Sequence, residues 1–427
     1  MNKSIFTLIF FLSALLLLPG SPDKKNKLKY EKSKKDPVLK IIKNNRDQIS
    51  KKKNDITELI VKKNKKFKKS ERDKKQTLKA DLKGVYPPSS PDEFKSLFHF
   101  DPIPQYLTST CWSFSATSFY ESEIFRLKGK KVKLSEMWTV YYELIEKSKG
   151  FIKKRGHSLV SGGGETNGVN RIWKKYGIVP ASVYSGVLQK DGLHDHAPLM
   201  RELKNYLSYI KKNGLWDKED NIGHIKLILN KHMGQPPSKF EYKGKTYTPE
   251  VFLNEVTGLN MDDYYGILST RYYPFYTKQK FDVPDNWWHS KDYINLPLNV
   301  WYGIIKKSIL NGYTLVIGGD VSEPGNLGEK DVIFIPTFDI PYEYIDQDSR
   351  EFRIYNKTTQ DDHGIHLVGY KRKKGKDWFL IKDSNRASRK GKFKGYYFFR
   401  EDFIKLKMLT FTVHKDMLKG ILKKLKK

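Results

Sequence analysis

The feature that most constrains this chain is its single cysteine, Cys111, in a sequence of 427 residues. One cysteine cannot form a disulfide within the chain, so the fold must be stable without one. Cys111 follows Thr108-Ser109-Thr110 and precedes apolar residues at helical spacing, which predicts a Ser/Thr-capped turn and a buried helix with Cys111 in its first turn. A helix N-terminus stabilises anions and therefore favours a thiolate, the reactive form of cysteine.

Two interpretations of this segment follow from the residues alone. Gln105 lies six residues before Cys111, and its side-chain amide could donate to an oxyanion beside the Cys111 backbone N–H. Cys111 would then be a catalytic nucleophile. The alternative is a buried, inert cysteine, which is the commoner fate of a single one.

Charge divides the chain into two regions. Hydrophobic residues make up 38% of the sequence, which is enough for a globular protein and excludes a wholly disordered one. The formal charge is +32, and residues 24–84 carry 24 Lys+Arg against 8 Asp+Glu, so half of the surplus lies in that segment. The remaining length suffices for one large core or two lobes.

The N-terminus is expected to direct export. Residues 1–20 contain a lysine at position 3 and an almost wholly apolar run over 5–18, followed by Pro19-Gly20-Ser21. This run is short for a membrane span and ends at small residues, which predicts a cleaved signal peptide over 1–20. The protein would then be periplasmic or secreted; an uncleaved anchor is the alternative.

Residues 21–84 are predicted to be a lysine-rich extension or linker. Ile42, Ile49 and Ile56 recur every seven residues, so part of the segment could be an amphipathic helix, although this pattern is not sustained; the alternative is a solvated helix or a disordered linker without a function of its own. Two functional alternatives are adhesion to an anionic surface and a pro-segment lying on the following domain. Few aromatic residues accompany the lysines, so no specific nucleic-acid partner is predicted.

A second domain is predicted over 85–427, because Gly84–Pro91 interrupts any helix. Helical patterns dominate its first half, and strand-like patterns dominate its second half. The predicted strands are 314–318, 332–335, 352–355, 365–370, 378–381 and 396–399. This segregation favours an α+β fold over a βαβ alternation.

A cysteine nucleophile needs a base, and the base needs an orienting acceptor. His363 and His366 lie on one predicted strand, and Asp383 follows the next, across a turn at Lys374-Gly375. Residues three apart on a strand point to opposite faces, so only one histidine can face a cleft. A two-residue turn would pair His366 with Asp383, whereas a wider loop would pair His363, and the local geometry does not decide between them.

Several segments together resemble the papain-like cysteine peptidases, and most closely the branch of bleomycin hydrolase and bacterial aminopeptidase C. The matching segments are Gln105–Ala116, Leu134–Glu136, Gly163–Tyr184 and Asp361–Ser384. The resemblance implies a two-lobe α+β fold, with a helical lobe carrying the nucleophile and a β-rich lobe carrying the base. It also implies hydrolysis of peptide or protein substrates through a thioester intermediate, and neither a cofactor nor a metal is expected.

The resemblance also implies a role for individual residues. Cys111 would be the nucleophile, and His363, six residues before the glycine of Val-Gly-Tyr, would be the base. Asp383 would orient His363, and Gln105 would help to hold the oxyanion. A further pair, Gly163-Gly164, matches the glycines that bind the substrate backbone in this family.

The chain also departs from the family pattern. Asp383-Ser384-Asn385-Arg386 stands where the family usually has Asn-Ser-Trp-Gly. Aspartate can accept from an imidazole N–H and stabilises imidazolium more than an amide does, but the tryptophan that shields this contact from water is missing. A Cys-His-Asp set also occurs in transglutaminase-like acyltransferases, which is one rival function; a catalytically inactive basic binding protein is the other.

The sequence leaves three properties of the protein undecided. It does not distinguish an endopeptidase from an aminopeptidase, and it does not give the oligomeric state. The branch that this chain resembles places its C-terminus in the cleft. Whether the tail over 422–427, which is rich in lysine, reaches that position does not follow from the sequence.

Overall fold

The computed structural model describes residues 29–188 and 192–425, so the predicted signal peptide over 1–20 lies outside the described residues. The chain divides into two compact units, one that ends at Gln76 and one that begins at Thr77. Within the described ranges, no helix has the length and apolar character needed to cross a bilayer.

The first unit contains a single long helix within its described part, α1 (Pro37–Lys74). The helix begins after Asp36, whose carboxylate accepts a hydrogen bond of 2.7 Å from the Val38 backbone N–H, with Pro37 in the first turn. None of its residues is buried. The lysine-rich segment therefore contains a solvated helix of 38 residues.

The second unit places most of its helices before most of its strands. Its helices are α2 (Cys111–Lys128), α3 (Glu136–Lys153), α4 (Thr166–Tyr176), α5 (Ala197–Asn213), α6 (Lys218–Met233), α7 (Pro249–Val251), which continues as a π-helical turn (Phe252–Thr257), α8 (Leu298–Leu310), α9 (Gln347–Tyr355), α10 (Glu401–Lys407) and α11 (Lys419–Leu422). Its strands are β1 (Lys95–Ser96), β2 (Phe240–Tyr242), β3 (Lys245–Tyr247), β4 (Tyr264–Leu268), β5 (Thr277–Gln279), β6 (Tyr293–Asn295), β7 (Leu315–Gly319), β8 (Asn326–Leu327), β9 (Val332–Ile333), β10 (His363–Lys373), β11 (Lys376–Lys382), β12 (Tyr396–Arg400) and β13 (Met408–His414).

The helical lobe is organised around α2. Every residue from Trp112 to Ile124 is buried, so this helix is enclosed by the lobe rather than lying on its surface. Glu121, in the middle of the helix, is fully buried. Its carboxylate pairs with Lys133 at 2.8 Å and accepts a hydrogen bond of 2.9 Å from the Leu134 backbone N–H. These partners offset the cost of burying the charge, and they fix the loop that leads into α3.

The β-rich lobe is built on one mixed sheet. Within the described residues it has eleven strands, in the order β5-β6-β4-β13-β7-β10-β11-β12-β9-β8, with β1 paired to β10. The central strands are antiparallel. Residues of α8 and α10, among them Trp301, Ile305 and Phe403, share one hydrophobic cluster with the sheet. The helix α2 contacts β10, since Ser118 Oγ lies 2.8 Å from His366 Nδ1. The start of α2 and the start of β10 are thereby brought together.

The prediction of an α+β fold, with helices first and a β-rich second half, is confirmed. The predicted strand over Phe352–Tyr355 is wrong, because these residues end the helix α9. A reciprocal capping box starts that helix: Asp346 Oδ1 accepts from the Ser349 backbone N–H (2.9 Å), and Ser349 Oγ accepts from the Asp346 N–H (3.0 Å).

The second unit begins eight residues before the predicted boundary at residue 85. The Ala80 backbone N–H donates to the Pro324 carbonyl at 3.0 Å. Leu82 and Val85 pack against a hydrophobic cluster that includes Trp378. The segment over 77–85 is therefore part of the packed structure of the second unit.

Candidate active site

Cys111 is the first residue of α2 and is partly exposed. The N-cap residue is Thr110, but its hydroxyl does not bond to the helix. It lies instead 2.6 Å from the hydroxyl of Thr108, which in turn donates to the Gln105 carbonyl at 2.8 Å. The first N–H groups of a helix have no acceptor within it, so the Cys111 N–H can donate to a group in front of α2.

His363 opens β10, and its Nε2 lies 2.7 Å from Asp383 Oδ1. Both side chains are buried. Burial alone would lower the pKa of His363, but the charges of Asp383 and Cys111 outweigh it and raise that pKa well above its ordinary value. A hydrogen bond to Cys111 raises the pKa further. Because Nε2 is engaged by Asp383, Nδ1 is the ring nitrogen left to interact with Cys111.

The missing tryptophan does not expose the contact between His363 and Asp383. Asp383 is 5% exposed and His363 is 6% exposed. Asp383 Oδ1 also accepts a hydrogen bond of 3.0 Å from the Asn385 backbone N–H, so the loop that replaces Trp-Gly holds the carboxylate in place. The concern that solvent reaches this pair is therefore not supported by the structure.

A β-bulge determines which residue of β10 lies opposite the end of β11. The turn at Lys374-Gly375 has two residues, as a tight hairpin requires. The register then shifts by one residue between Leu367 and Gly369, which places His366 opposite Lys382. The pairing of His366 with Asp383 that a regular two-residue hairpin predicts is absent for this reason.

The two histidines occupy different environments. The His366 side chain is 0% exposed and lies against α2, where Ser118 Oγ is 2.8 Å from its Nδ1. Burial lowers the pKa of His366 well below its ordinary value, and the nearby charge of Lys382 lowers it further. His366 is therefore neutral and part of the interface between the lobes, while His363 faces the cleft.

Gln105 is held beside Cys111 by the loop after β11. Its Oε1 accepts a hydrogen bond of 2.8 Å from Ser384 Oγ, and its backbone N–H donates to the Ser384 carbonyl at 3.0 Å. With Oε1 engaged in this way, the amide nitrogen is the group left to face the cleft. Ser384 thus positions Gln105.

The glycine pair is closely packed: a side chain on Gly164 would clash with the Trp112 ring, and one on Gly163 would displace the Asp285 carboxylate. A Cβ on Gly164 would lie 2.8 Å from the Trp112 ring, and a Cβ on Gly163 would lie 2.2 Å from Asp285 Oδ2. The Lys147 ammonium lies behind the loop, where it donates to the carbonyl of Gly163 and, at 3.1 Å, to that of Ser161.

A cleft of about 250 Å³ brings these groups together. Five of the predicted residues line it, and Asp383 lies behind His363. The five are Cys111, His363, Gln105, Gly163 and Gly164. Four carboxyl groups to which the sequence analysis gave no role line the same cleft: Glu165, Asp285, Asp361 and Asp362.

Three of these acidic residues had a signal in the sequence. Glu165 directly follows the glycine pair, and Asp361-Asp362 directly precede His363. Asp285 comes from a distant part of the chain and carries no local signal. Among the described residues, no group of three or more His, Cys, Asp or Glu is arranged to hold a metal.

Comparison with known proteins gives a consistent result. The model of the Peptidase C1-like family matches residues 43–427. Aminopeptidase C of Lactobacillus helveticus is 23% identical over 383 residues, which cover 76% of this chain and 81% of that enzyme. Aminopeptidase C of Lactococcus lactis subsp. cremoris is 24% identical over 262 residues, which cover 53% of this chain and 60% of that protein.

A solved structure shares the fold. PepW from Lactobacillus rhamnosis HN001 superposes with a TM-score of 0.63 at 20% sequence identity, over 79% of this chain and 85% of PepW. The expected resemblance to the papain-like aminopeptidase C branch is thereby confirmed, and the protein is a cysteine-type peptidase that acts on peptide substrates. Since the family model covers most of the sequence, the chain belongs to the Peptidase C1-like family.

Proposed function

We propose that this peptidase hydrolyses peptide bonds with Cys111, His363 and Asp383 as its catalytic set. The observation that carries the proposal is the 2.7 Å contact between His363 Nε2 and Asp383 Oδ1, in a histidine that also interacts with Cys111 at the start of α2. The chemistry needs such a nucleophile, a base within reach and a group that orients the base.

In the first half of the reaction, Cys111 Sγ attacks the scissile carbonyl as a thiolate and forms a carbon–sulfur bond. The resulting oxyanion accepts hydrogen bonds from the Gln105 amide and the Cys111 N–H. His363 Nδ1–H then donates its proton to the leaving amine as the carbon–nitrogen bond breaks. A thioester on Cys111 remains.

In the second half, His363 Nδ1 accepts a proton from a water molecule that attacks the thioester carbonyl. The carbon–sulfur bond breaks, the acid product leaves and the thiolate and imidazolium are restored. Asp383 keeps the imidazole ring in one orientation throughout and stabilises its charged form. The N–H groups of Gly163 and Gly164 and the Gly164 carbonyl would bind the substrate backbone beside the scissile bond, since the Gly163 carbonyl already accepts from Lys147.

Hydrolysis of a mixed peptide library by the full chain tests this function. We expect new peptide ends to appear in mass spectra with the wild-type protein and not with Cys111→Ser. Transfer of the acyl group to an added amine, at the expense of hydrolysis, would instead identify an acyltransferase. No reaction of any peptide would leave the inactive binding protein as the explanation. The positions of the new ends distinguish an aminopeptidase from an endopeptidase.

We further propose that the protein is exported and that α1 attaches it to an anionic surface. Six apolar residues of α1 fall within a sector of about 40° on a helix of 3.6 residues per turn, over a length of about 44 Å. They are Val38, Ile42, Ile49, Ile56, Ile60 and Phe67, and all are exposed. The helix otherwise carries 14 Lys+Arg against 5 Asp+Glu. An exposed apolar stripe on a basic helix suits the interface of an anionic membrane.

The full chain is expected to bind vesicles that contain phosphatidylserine and to bind pure phosphatidylcholine vesicles much more weakly. Higher salt should weaken the binding, because exposed charges are screened over about 10 Å at 0.1 M ionic strength. The double variant Ile49→Ser/Ile56→Ser should reduce sedimentation with the vesicles, while Val61→Ser, which lies off the stripe, should not. Equal binding by all three proteins would contradict the role of the stripe.

N-terminal sequencing of the mature protein checks the proposed removal of residues 1–20.

A further inference from the structure

The glycine loop, residues 161–164, contributes Gly163 and Gly164 to the wall of the cleft. None of its N–H or carbonyl groups bonds to the backbone of another described residue. Three of its four residues are glycine, the residue that restrains the backbone least. The orientation of its peptide planes must therefore be set by side chains.

Two side chains hold three consecutive carbonyls of this loop. The Lys147 ammonium, on α3, donates to the carbonyls of Ser161, at 3.1 Å, and of Gly163. The Trp112 indole N–H, on α2, donates to the carbonyl of Gly162 at 2.9 Å. The glycine loop is thereby tied to two helices of the helical lobe.

Lys147 is a buried cation without a carboxylate partner. The residue is 0% exposed, and its hydrogen bonds go to the glycine loop and to no carboxylate of the described residues. Glu143, one turn earlier on α3, pairs instead with Arg171. Burial lowers the pKa of Lys147, although the charges of Glu143 and Asp285 oppose this shift. An apolar side chain could fill the same space without the cost of burying a charge, so packing alone does not account for a lysine here.

The contact with the Gly163 carbonyl also fixes the direction of an N–H group. In a trans peptide plane, the carbonyl and the N–H point in opposite directions. Because the Gly163 carbonyl points at Lys147, the Gly164 N–H points away from it. Gly164 lines the cleft, and its N–H has no acceptor in the backbone of the described residues. This N–H can therefore donate to the backbone carbonyl of a bound peptide.

We propose that Lys147 is a positioning residue for substrate binding, which holds the Gly163 carbonyl from behind and so aims the Gly164 N–H at the backbone of a bound peptide. Lys147 does not line the cleft and would touch neither the peptide nor Cys111. It would therefore set the affinity for a peptide backbone and leave the reactivity of the thiol unchanged. The proposal rests on the proposed function, because it concerns the way in which the same cleft binds its substrate.

The first test compares two reagents that alkylate Cys111, the only cysteine of the chain. Iodoacetamide is too small to reach the glycine loop from the thiol, whereas a dipeptidyl chloromethyl ketone carries a peptide backbone along it. Each rate is normalised to the rate with free cysteine, and the backbone preference is the normalised rate of the peptide reagent divided by that of iodoacetamide. Lys147→Met should lower this preference about tenfold, because a misdirected N–H loses its hydrogen bond, and should leave the iodoacetamide rate unchanged.

Lys153→Met is the matched control. Lys153 lies on the same helix, is exposed and does not line the cleft, so the same substitution should leave the backbone preference unchanged. Thermal melting establishes that each variant is folded. Should Lys147→Met not fold, Lys147→Gln takes its place, because its amide keeps N–H donors but is shorter and carries no charge. It should lower the preference in the same direction by a smaller factor.

Three outcomes of this comparison would overturn the inference. One is a backbone preference near one in wild type, since no peptide backbone would then be bound along the glycine loop. The second is an unchanged preference in a folded Lys147 variant. The third is an equal loss of rate with both reagents, which would show a general disturbance of the site around Cys111.

The second test uses steady-state hydrolysis of a peptide amide. The hydrogen bond to the peptide backbone is made in the bound substrate as well as in the transition state, so Lys147→Met should raise KM about tenfold with little change in kcat. A fall in kcat with KM unchanged would contradict the proposed role in binding. No hydrolysis by wild type, together with a backbone preference that depends on Lys147, would overturn the proposed function and leave the inference standing.

Discussion

His363→Ala is expected to lower kcat/KM for peptide hydrolysis by about 10³-fold or more in a protein that still folds, and to lower the melting temperature because Asp383 is left buried without its partner. The imidazole must protonate the leaving amine and later activate water, and no other described side chain is placed to do so beside Cys111. In the protein itself, the substitution removes the 2.7 Å contact with Asp383 and the interaction with Cys111. Steady-state kinetics and thermal melting on the same preparations measure both effects.

His366→Ala is the matched control for this substitution. It removes the same side chain from the same strand, three residues further along. His366 is fully buried against Ser118, so its loss leaves a cavity and an unpaired hydroxyl. We expect the free energy of unfolding to fall by about 2 kcal/mol, while turnover is retained. Full activity in His363→Ala, or loss of activity in a folded His366→Ala, would reverse the assignment of the base.

Asp383→Asn is expected to shift the alkaline limb of the pH–rate profile to lower pH. The charge of Asp383 raises the pKa of His363, so in wild type the imidazolium persists to a higher pH than it does in an isolated histidine. Acyl transfer needs this imidazolium, and the rate falls when it loses its proton. An amide can still accept from Nε2 but carries no charge, so the pKa of His363 decreases and the alkaline limb follows.

The same interaction links stability to pH. Because the pKa of His363 is raised by folding, its contribution to stability is complete below the unfolded-state pKa of about 6.5. That contribution is lost as the pH rises through the higher pKa of the folded state.

Asp383→Ala removes both the charge and the acceptor, and it should lower kcat by about 10²-fold or more. A profile for Asp383→Asn that overlays wild type would show that Asp383 does not set the protonation of His363.

Local patterns in the sequence were sufficient for much of the fold and of the site. The start of α2 at Cys111 and the glycine pair each depend on residues that are neighbours in the chain, so their signals are visible without tertiary contacts. The α+β segregation also follows from local periodicity. The short run Phe352–Tyr355 is compatible with either a strand or a helix, so its periodicity alone does not distinguish the two. The capping residues Asp346 and Ser349 were the available evidence for a helix.

Other features depend on contacts that the sequence does not display. Whether His363 or His366 pairs with Asp383 depends on a bulge between Leu367 and Gly369, and the sequence of the strand does not predict this bulge. Asp285 reaches the glycine loop from far along the chain, through the tertiary fold. The grouping of the four carboxyl groups that line the cleft likewise arises only when the lobes are assembled.

The most direct test of the catalytic account is the capture of the acyl-enzyme. A peptide ester substrate is mixed with the full chain, the reaction is quenched in acid during turnover, and the protein is digested for mass spectrometry. The account predicts an acyl adduct on the peptide that contains Cys111, and neither an adduct nor hydrolysis with Cys111→Ser. Continued hydrolysis by Cys111→Ser, or turnover that yields an adduct on a different residue, would contradict it.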